Sequence, residues 1–127
     1  IQPLIQIQKQ LPANEALPEI RQLPYHYIEN SQGYTVAGWK FSKRWQFDFY
    51  DLLDVLCEQQ DWLRIKGIFH TNQGWIHFNF NPNDLNYKSG EEGIDNRIEV
   101  ITQTNCDWSN FESAVLDCRI DLVEKPQ

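Results

Sequence analysis

From Gly33 onward, apolar and polar positions follow a readable order. Tyr34–Phe41 alternates and is rich in Tyr, Val, Trp and Phe, which predicts a strand. Phe47-Asp48 then precedes Phe49, Leu52, Leu53 and Leu56 at helical spacing, which predicts a helix over Phe49–Gln60. Asp48 suits its first-turn N–H groups, and Phe47 can pack on Leu52 as a hydrophobic staple. Trp62–His70 reads as a strand with Leu63, Ile65 and Phe69 on one face and Arg64, Lys66 and Ile68 on the other. The turn cluster Thr71-Asn72-Gln73-Gly74 and the strand Trp75–Phe80 complete an antiparallel hairpin. Asn81–Asp95 is polar, carries Pro82, Gly90 and Gly93, and reads as a loop. Arg97–Thr102 is a further strand. Asp107 or Ser109 can open a second helix with the stripe Trp108, Phe111, Val115 and Cys118, and Asp121 onward reads as a frayed tail.

The order β-α-β-β-β-α predicts an α+β fold. It would be a mostly antiparallel sheet of about four strands with both helices on one face, a ferredoxin-like sandwich. Four of the six prolines (Pro3, Pro12, Pro18, Pro24) fall before this pattern begins. Proline cannot donate to a ladder and pushes its predecessor away from helix, so the early stretch reads as a tether. Leu4–Gln8 would be an edge strand within it and Asn14–Gln22 about two helical turns. The expected organisation is therefore a tether, or the end of a preceding domain, over 1–32, one domain over 33–121, and a tail over 122–127. A chain that begins with Ile1 rather than Met is expected to be a fragment or a processed piece.

Composition narrows the partners. With 127 residues, five Trp, seven Phe and five Tyr, the chain holds enough apolar volume for one core. Eleven basic residues against 18 acidic ones give a formal charge of −7, which disfavours nucleic acid and anionic membrane surfaces as partners. No apolar run approaches the length of about 20 residues that a membrane span needs. Cys57, Cys106 and Cys118 form an odd set without CxxC spacing, which points to a reducing, cytoplasmic setting rather than a disulfide framework.

Candidate chemistry is sparse. Neither GxxxxGK[ST] nor GxGxxG occurs, so the chain has no phosphate cradle of its own. His70 and His77 flank a hairpin turn and are the candidate metal ligands, but no short-spaced pair nucleates a three- or four-ligand site. Cys57 and Cys118 fit core packing, and Cys106 stands before a helix start, where a thiolate is favoured. Asp51/Asp54 and Glu91/Glu92 read as solvated surface pairs. Trp39-Lys40-Phe41 and Lys43-Arg44-Trp45 interleave aromatic and basic residues. A sheet so decorated can bind single-stranded RNA, or the aromatics can be core and the basic residues a solvated edge. No catalytic constellation emerges.

Three landmarks occur in order. They are Phe41-Ser42 with Phe47-Asp48 and a Leu-rich helix, then Leu63-Arg64-Ile65-Lys66-Gly67-Ile68 ahead of the Trp75 strand, then Asn96–Ile101 with Trp108–Leu116. On these, Gly33–Ile120 resembles the C-terminal domain of CobW-type GTPases. The resemblance implies a non-catalytic accessory domain of a GTP-dependent metallochaperone whose parent would be the GTPase. GTP and a divalent metal (Zn or Co), with the CxCC motif, would then belong to an N-terminal domain absent from this sequence. Relatives often carry a His-rich tract ahead of the domain, and here only Tyr25-His26-Tyr27 stands there. The implied partners are that GTPase domain and a metal-requiring client protein. Arg64 and Lys66 share a strand face, and Gly67 beside them leaves room for close approach, which makes the three a candidate docking patch; an exposed strand face balanced by Glu99 explains them as well. A free-standing interaction or small-ligand module and a direct zinc binder using His70, His77 and a cysteine are the alternative readings.

Overall fold

The computed structural model describes residues 24–120. Within them the elements run β1 Tyr25–Ser31, β2 Tyr34–Phe41, β3 Gln46–Phe47, α1 Phe49–Glu58, β4 Arg64–Thr71, β5 Gly74–Asn81, β6 Asp84–Ser89, β7 Asn96–Thr102, α2 Ser109–Asp117 and β8 Arg119–Ile120. The expected strand Leu4–Gln8, the helical turns at Asn14–Gln22 and the tail from Asp121 lie outside the described residues.

All eight strands belong to one mixed, curled sheet. Antiparallel ladders join β1 to β2, β2 to β7, β7 to β4, β4 to β5 and β5 to β6. The short β3 lies parallel to the end of β4 at Phe47↔Thr71, and β8 pairs with β3. The four-strand ferredoxin-like sandwich is therefore not formed. The sheet has eight strands rather than four, with β3 and β8 continuing one edge of β4 and the β5–β6 pair on its other edge. The parallel crossover through α1 joins β3, not β2, to β4.

Two further strands account for the rest of the difference. Tyr25–Ser31, placed by the sequence ahead of the domain, pairs with β2 along its whole length. Its turn is a two-residue one at Gln32 (φ 50°) and Gly33 (φ 86°), the conformation that matches strand twist. Asp84–Ser89, expected as loop, is β6, and Asn81 opens its turn by accepting the Asn83 N–H at 3.2 Å. Both are edge strands with almost every residue exposed, so neither shows the apolar alternation of a half-buried strand.

One sheet face carries the core. Trp39, Phe41, Ile65, Phe69, Phe78, Phe80, Ile98 and Val100 are buried there, each at alternate positions of its strand. Burying one such side chain contributes about 1.5–3 kcal/mol. Both helices pack on this face: Phe49 of α1 stacks on Phe78 at 6.3 Å, and Phe111 of α2 lies 5.1 Å from Trp39. Helix α1 starts where expected, since Asp48 accepts the Asp51 N–H at 3.0 Å. Asn72, in the β4–β5 turn, accepts the Phe49 N–H and donates to Asp48, each at 2.9 Å, so the turn and the helix start hold one another. The helix stops two residues short of the expected Gln60, where Trp62 Nε1 donates to the Gln59 carbonyl at 2.7 Å.

Candidate functional site: the outer face of the sheet

Among the described residues, the opposite sheet face carries no helix. Its cross-strand rows follow from the registers. One runs Tyr25–Lys40–Arg97–Ile68–His77–Lys88, and the next runs Tyr27–Gly38–Glu99–Lys66–Asn79–Asn86. Because the sheet curls, these rows line a trough of about 660 Å³. The segment after β6 bounds it on one side: Gly90 lies against the His77 ring, and Gly93 against Ile68 and Trp75.

Tyr27 shapes one wall. Its ring lies directly over Gly38, where a Cβ would meet the ring at 2.2 Å, and its hydroxyl donates to Glu99. Burial first, and the Glu99 carboxylate second, hold the Tyr27 hydroxyl well above its ordinary value. Arg97 is held by Asp95 at 2.6 and 3.0 Å, and that charge-assisted pair raises its pKa further. Among the described residues, Lys40, Lys66 and Lys88 form no ion pair.

Charge divides between the two layers. From Gln46 to Trp62 the chain has no Lys or Arg but carries Asp48, Asp51, Asp54, Glu58 and Asp61. From Gln103 to Cys118 it again has none, and Asp107, Glu112 and Asp117 stand there. Both stretches make the helix layer. The outer face holds Lys40, Arg64, Lys66, Lys88 and Arg97 beside the carboxylates Glu99 and Asp84, so most of the described basic residues gather on one side.

Arg64 and Lys66 do share the outer face, and Arg64 donates to Asn79 at 3.0 Å. Gly67 points the other way. A Cβ there would meet the Arg97 carbonyl at 2.9 Å and the Phe69 ring at 3.3 Å, so the close approach it permits is made by its own sheet neighbours. His70 stacks on Trp75 at 5.1 Å, with a buried Nδ1 that has no hydrogen-bond partner. His77 donates to the Glu91 carbonyl at 3.0 Å. No group of three or more His, Cys, Asp or Glu side chains capable of holding a metal ion occurs among the described residues. The described side chains therefore offer no converging donor set for zinc or cobalt.

The cysteines depart from expectation in two respects. Cys57 is exposed, not core; it sits outside the Phe49, Leu52 and Leu56 stripe. Cys106 is not a favoured thiolate: burial first, then Asp107 and Asp61, push its thiol upward. Cys118 is buried as expected and donates to the Ala114 carbonyl at 3.3 Å. Of the aromatic-basic cluster, Trp39 and Phe41 are core, Lys43 pairs with Glu92, and only Lys40 reaches the trough. Lys88, Arg97 and Tyr27 were not singled out from sequence, since only strand register brings them together.

The family described as "Cobalamin synthesis protein cobW C-terminal domain" matches residues 36–119, from within β2 to the first residue of β8. The chain belongs to the CobW C-terminal domain family. A similar protein is the "Zinc chaperone YeiR" of Escherichia coli (strain K12), 29% identical over 94 residues, 73% of this chain and 28% of the relative. The chain thus spans little more than a quarter of that relative's length. No solved structure matches this CobW C-terminal domain. Among its described residues no helix is long and apolar enough to cross a membrane.

Proposed function

We propose that this CobW C-terminal domain is the non-catalytic accessory domain of a cytoplasmic, GTP-dependent metallochaperone. It works by contact: the outer sheet face docks the GTPase domain or a metal-requiring client. GTP and the carried divalent metal, zinc or cobalt, belong to that GTPase domain. The observation that carries this reading is a sheet face that, among the described residues, is free of helices, curled into a trough, and set with cations that lack ion-pair partners. The similarity to a protein named a zinc chaperone supports the choice of process.

The test has two arms. The 127-residue chain is expected to release no phosphate from GTP, and measurable turnover would refute a non-catalytic role. Arg64→Glu/Lys66→Glu is expected to weaken association with the GTPase domain, measured by calorimetry, by about tenfold, because charge reversal turns attraction into repulsion. Unchanged affinity removes this face as the docking surface.

A further inference from the structure

Building on the docking reading, we propose that the trough receives an extended, acidic peptide segment of about six residues from the partner protein, laid across the strands along the Lys40–Lys88 row. The length follows from the sheet. β2 and β6 are four inter-strand steps apart through β7, β4 and β5, or roughly 19 Å at about 4.8 Å per step. An extended peptide rises about 3.3 Å per residue, so about six residues cover the row.

The acidity follows from the donors. Lys40 stands at one end of the row, Lys88 at the other, and Lys66 beside its middle. They are single ammonium groups spread along a line, suited to carboxylates carried on successive side chains. A phosphate wants donors that converge, usually backbone N–H groups of a turn or helix start. Here the floor's backbone is engaged in strand ladders, and the positive-φ glycines, Gly33 and Gly74, lie at hairpin turns outside the trough. Glu99 and Asp84 stand within the trough, but the Tyr27 hydroxyl already occupies one oxygen of Glu99, and Asp84 lies two rows along β6 from Lys88, off the proposed path. Asn79 and Asn86 face one another across β5 and β6 and offer amides to a peptide backbone. The acidic helix layer repels the same segment, so the charge division steers it to one side of the domain.

Acetyl-hexaglutamate amide is the probe, titrated calorimetrically into the 127-residue chain at low salt. Binding that weakens with added salt, and that falls by about tenfold in Lys66→Glu/Lys88→Glu, is the expected result. Arg44→Glu removes an exposed cation outside the trough and should leave affinity unchanged. If the reversal pair does not fold, Lys66→Gln/Lys88→Gln serves and should lose a smaller factor. No binding by the wild-type chain, an equal loss in Arg44→Glu, or displacement of the peptide by inorganic phosphate would each overturn the proposal. Association with the GTPase domain is measured on the same variants. If that association weakens while hexaglutamate never binds, the acidic segment is wrong and docking through this face stands; if neither responds, both fall.

Discussion

Replacing Asn96 by Ala should be among the costliest polar changes in the described sheet. Asn96 is fully buried at the first position of β7. The edge of β4 pairs with β7 as far as Ile68 and with β3 at Thr71, leaving the His70 N–H without a strand partner on that side. Asn96 Oδ1 accepts that N–H at 2.6 Å, and Nδ2 donates to the Ser42 and Trp45 carbonyls at 2.9 and 3.2 Å. One amide thus bridges three chain segments. At about 1 kcal/mol net per buried hydrogen bond the loss is about 3 kcal/mol, before any cavity term. For a domain of this size that lowers the midpoint by roughly 12–24 °C. Urea unfolding followed by the fluorescence of the five tryptophans reads the change. Asn96→Leu keeps most of the volume but none of the bonds, and should lose nearly as much as Asn96→Ala. A loss below about 1 kcal/mol in both variants, with native circular dichroism, would refute the assignment of three working hydrogen bonds. Retained slow hydrogen exchange at His70 would do the same.

Gly67→Ala should destabilise the sheet by about 1–3 kcal/mol, because the new methyl meets the backbone carbonyl of Arg97, which cannot swing aside; the same urea titration detects it, and a neutral result means the β4–β7 spacing is looser than described. Ellman's reagent at pH 8 should label Cys57 and Cys106 in the folded chain, more slowly than a free thiol because both are shifted upward, and Cys118 only on unfolding, since Cys118 alone is buried. Burial, then Asp51 and Asp117, raise the Cys118 thiol to about 12. A raised value means that the neutral form is favoured by the fold. Its contribution is whole below the ordinary thiol value of about 8.5 and is lost as pH climbs through about 12. Alkaline unfolding of Cys118→Ala should therefore lose part of its pH dependence in that window.

How far the sequence reaches depends on whether local chemistry or distant pairing decides each element. Helix α1 is legible because Asp48 caps it and Phe49, Leu52 and Leu56 mark its buried side. The β4–β5 hairpin is legible because alternation runs through both strands and a turn cluster separates them. β1 and β6 are not, because an edge strand exposed on both faces has no apolar period to read. The insertion of β7 between β2 and β4 is a tertiary fact that no local signal carries. The site divides likewise. Alternation along one strand places Arg64 and Lys66 together, whereas Lys40, Arg97 and Lys88 meet only through the register of four other strands. Gly67 was legible as a place of close contact but not as to whose.

The position of β7 sets an order on how the chain can acquire its shape. β1–β2 is a ribbon closed by a tight turn, and β4–β5–β6 is a meander, so each forms from neighbours in sequence. Nothing in either ladder holds the two together. A growing polypeptide emerging from the ribosome therefore carries two half-sheets with greasy undersides until Asn96–Thr102 arrives, late, to zip between them. Ladder continuity between the two halves is gathered into a single seven-residue seam, and a nascent chain halted before it keeps only side-chain contacts such as Phe41 against Phe69 to join them.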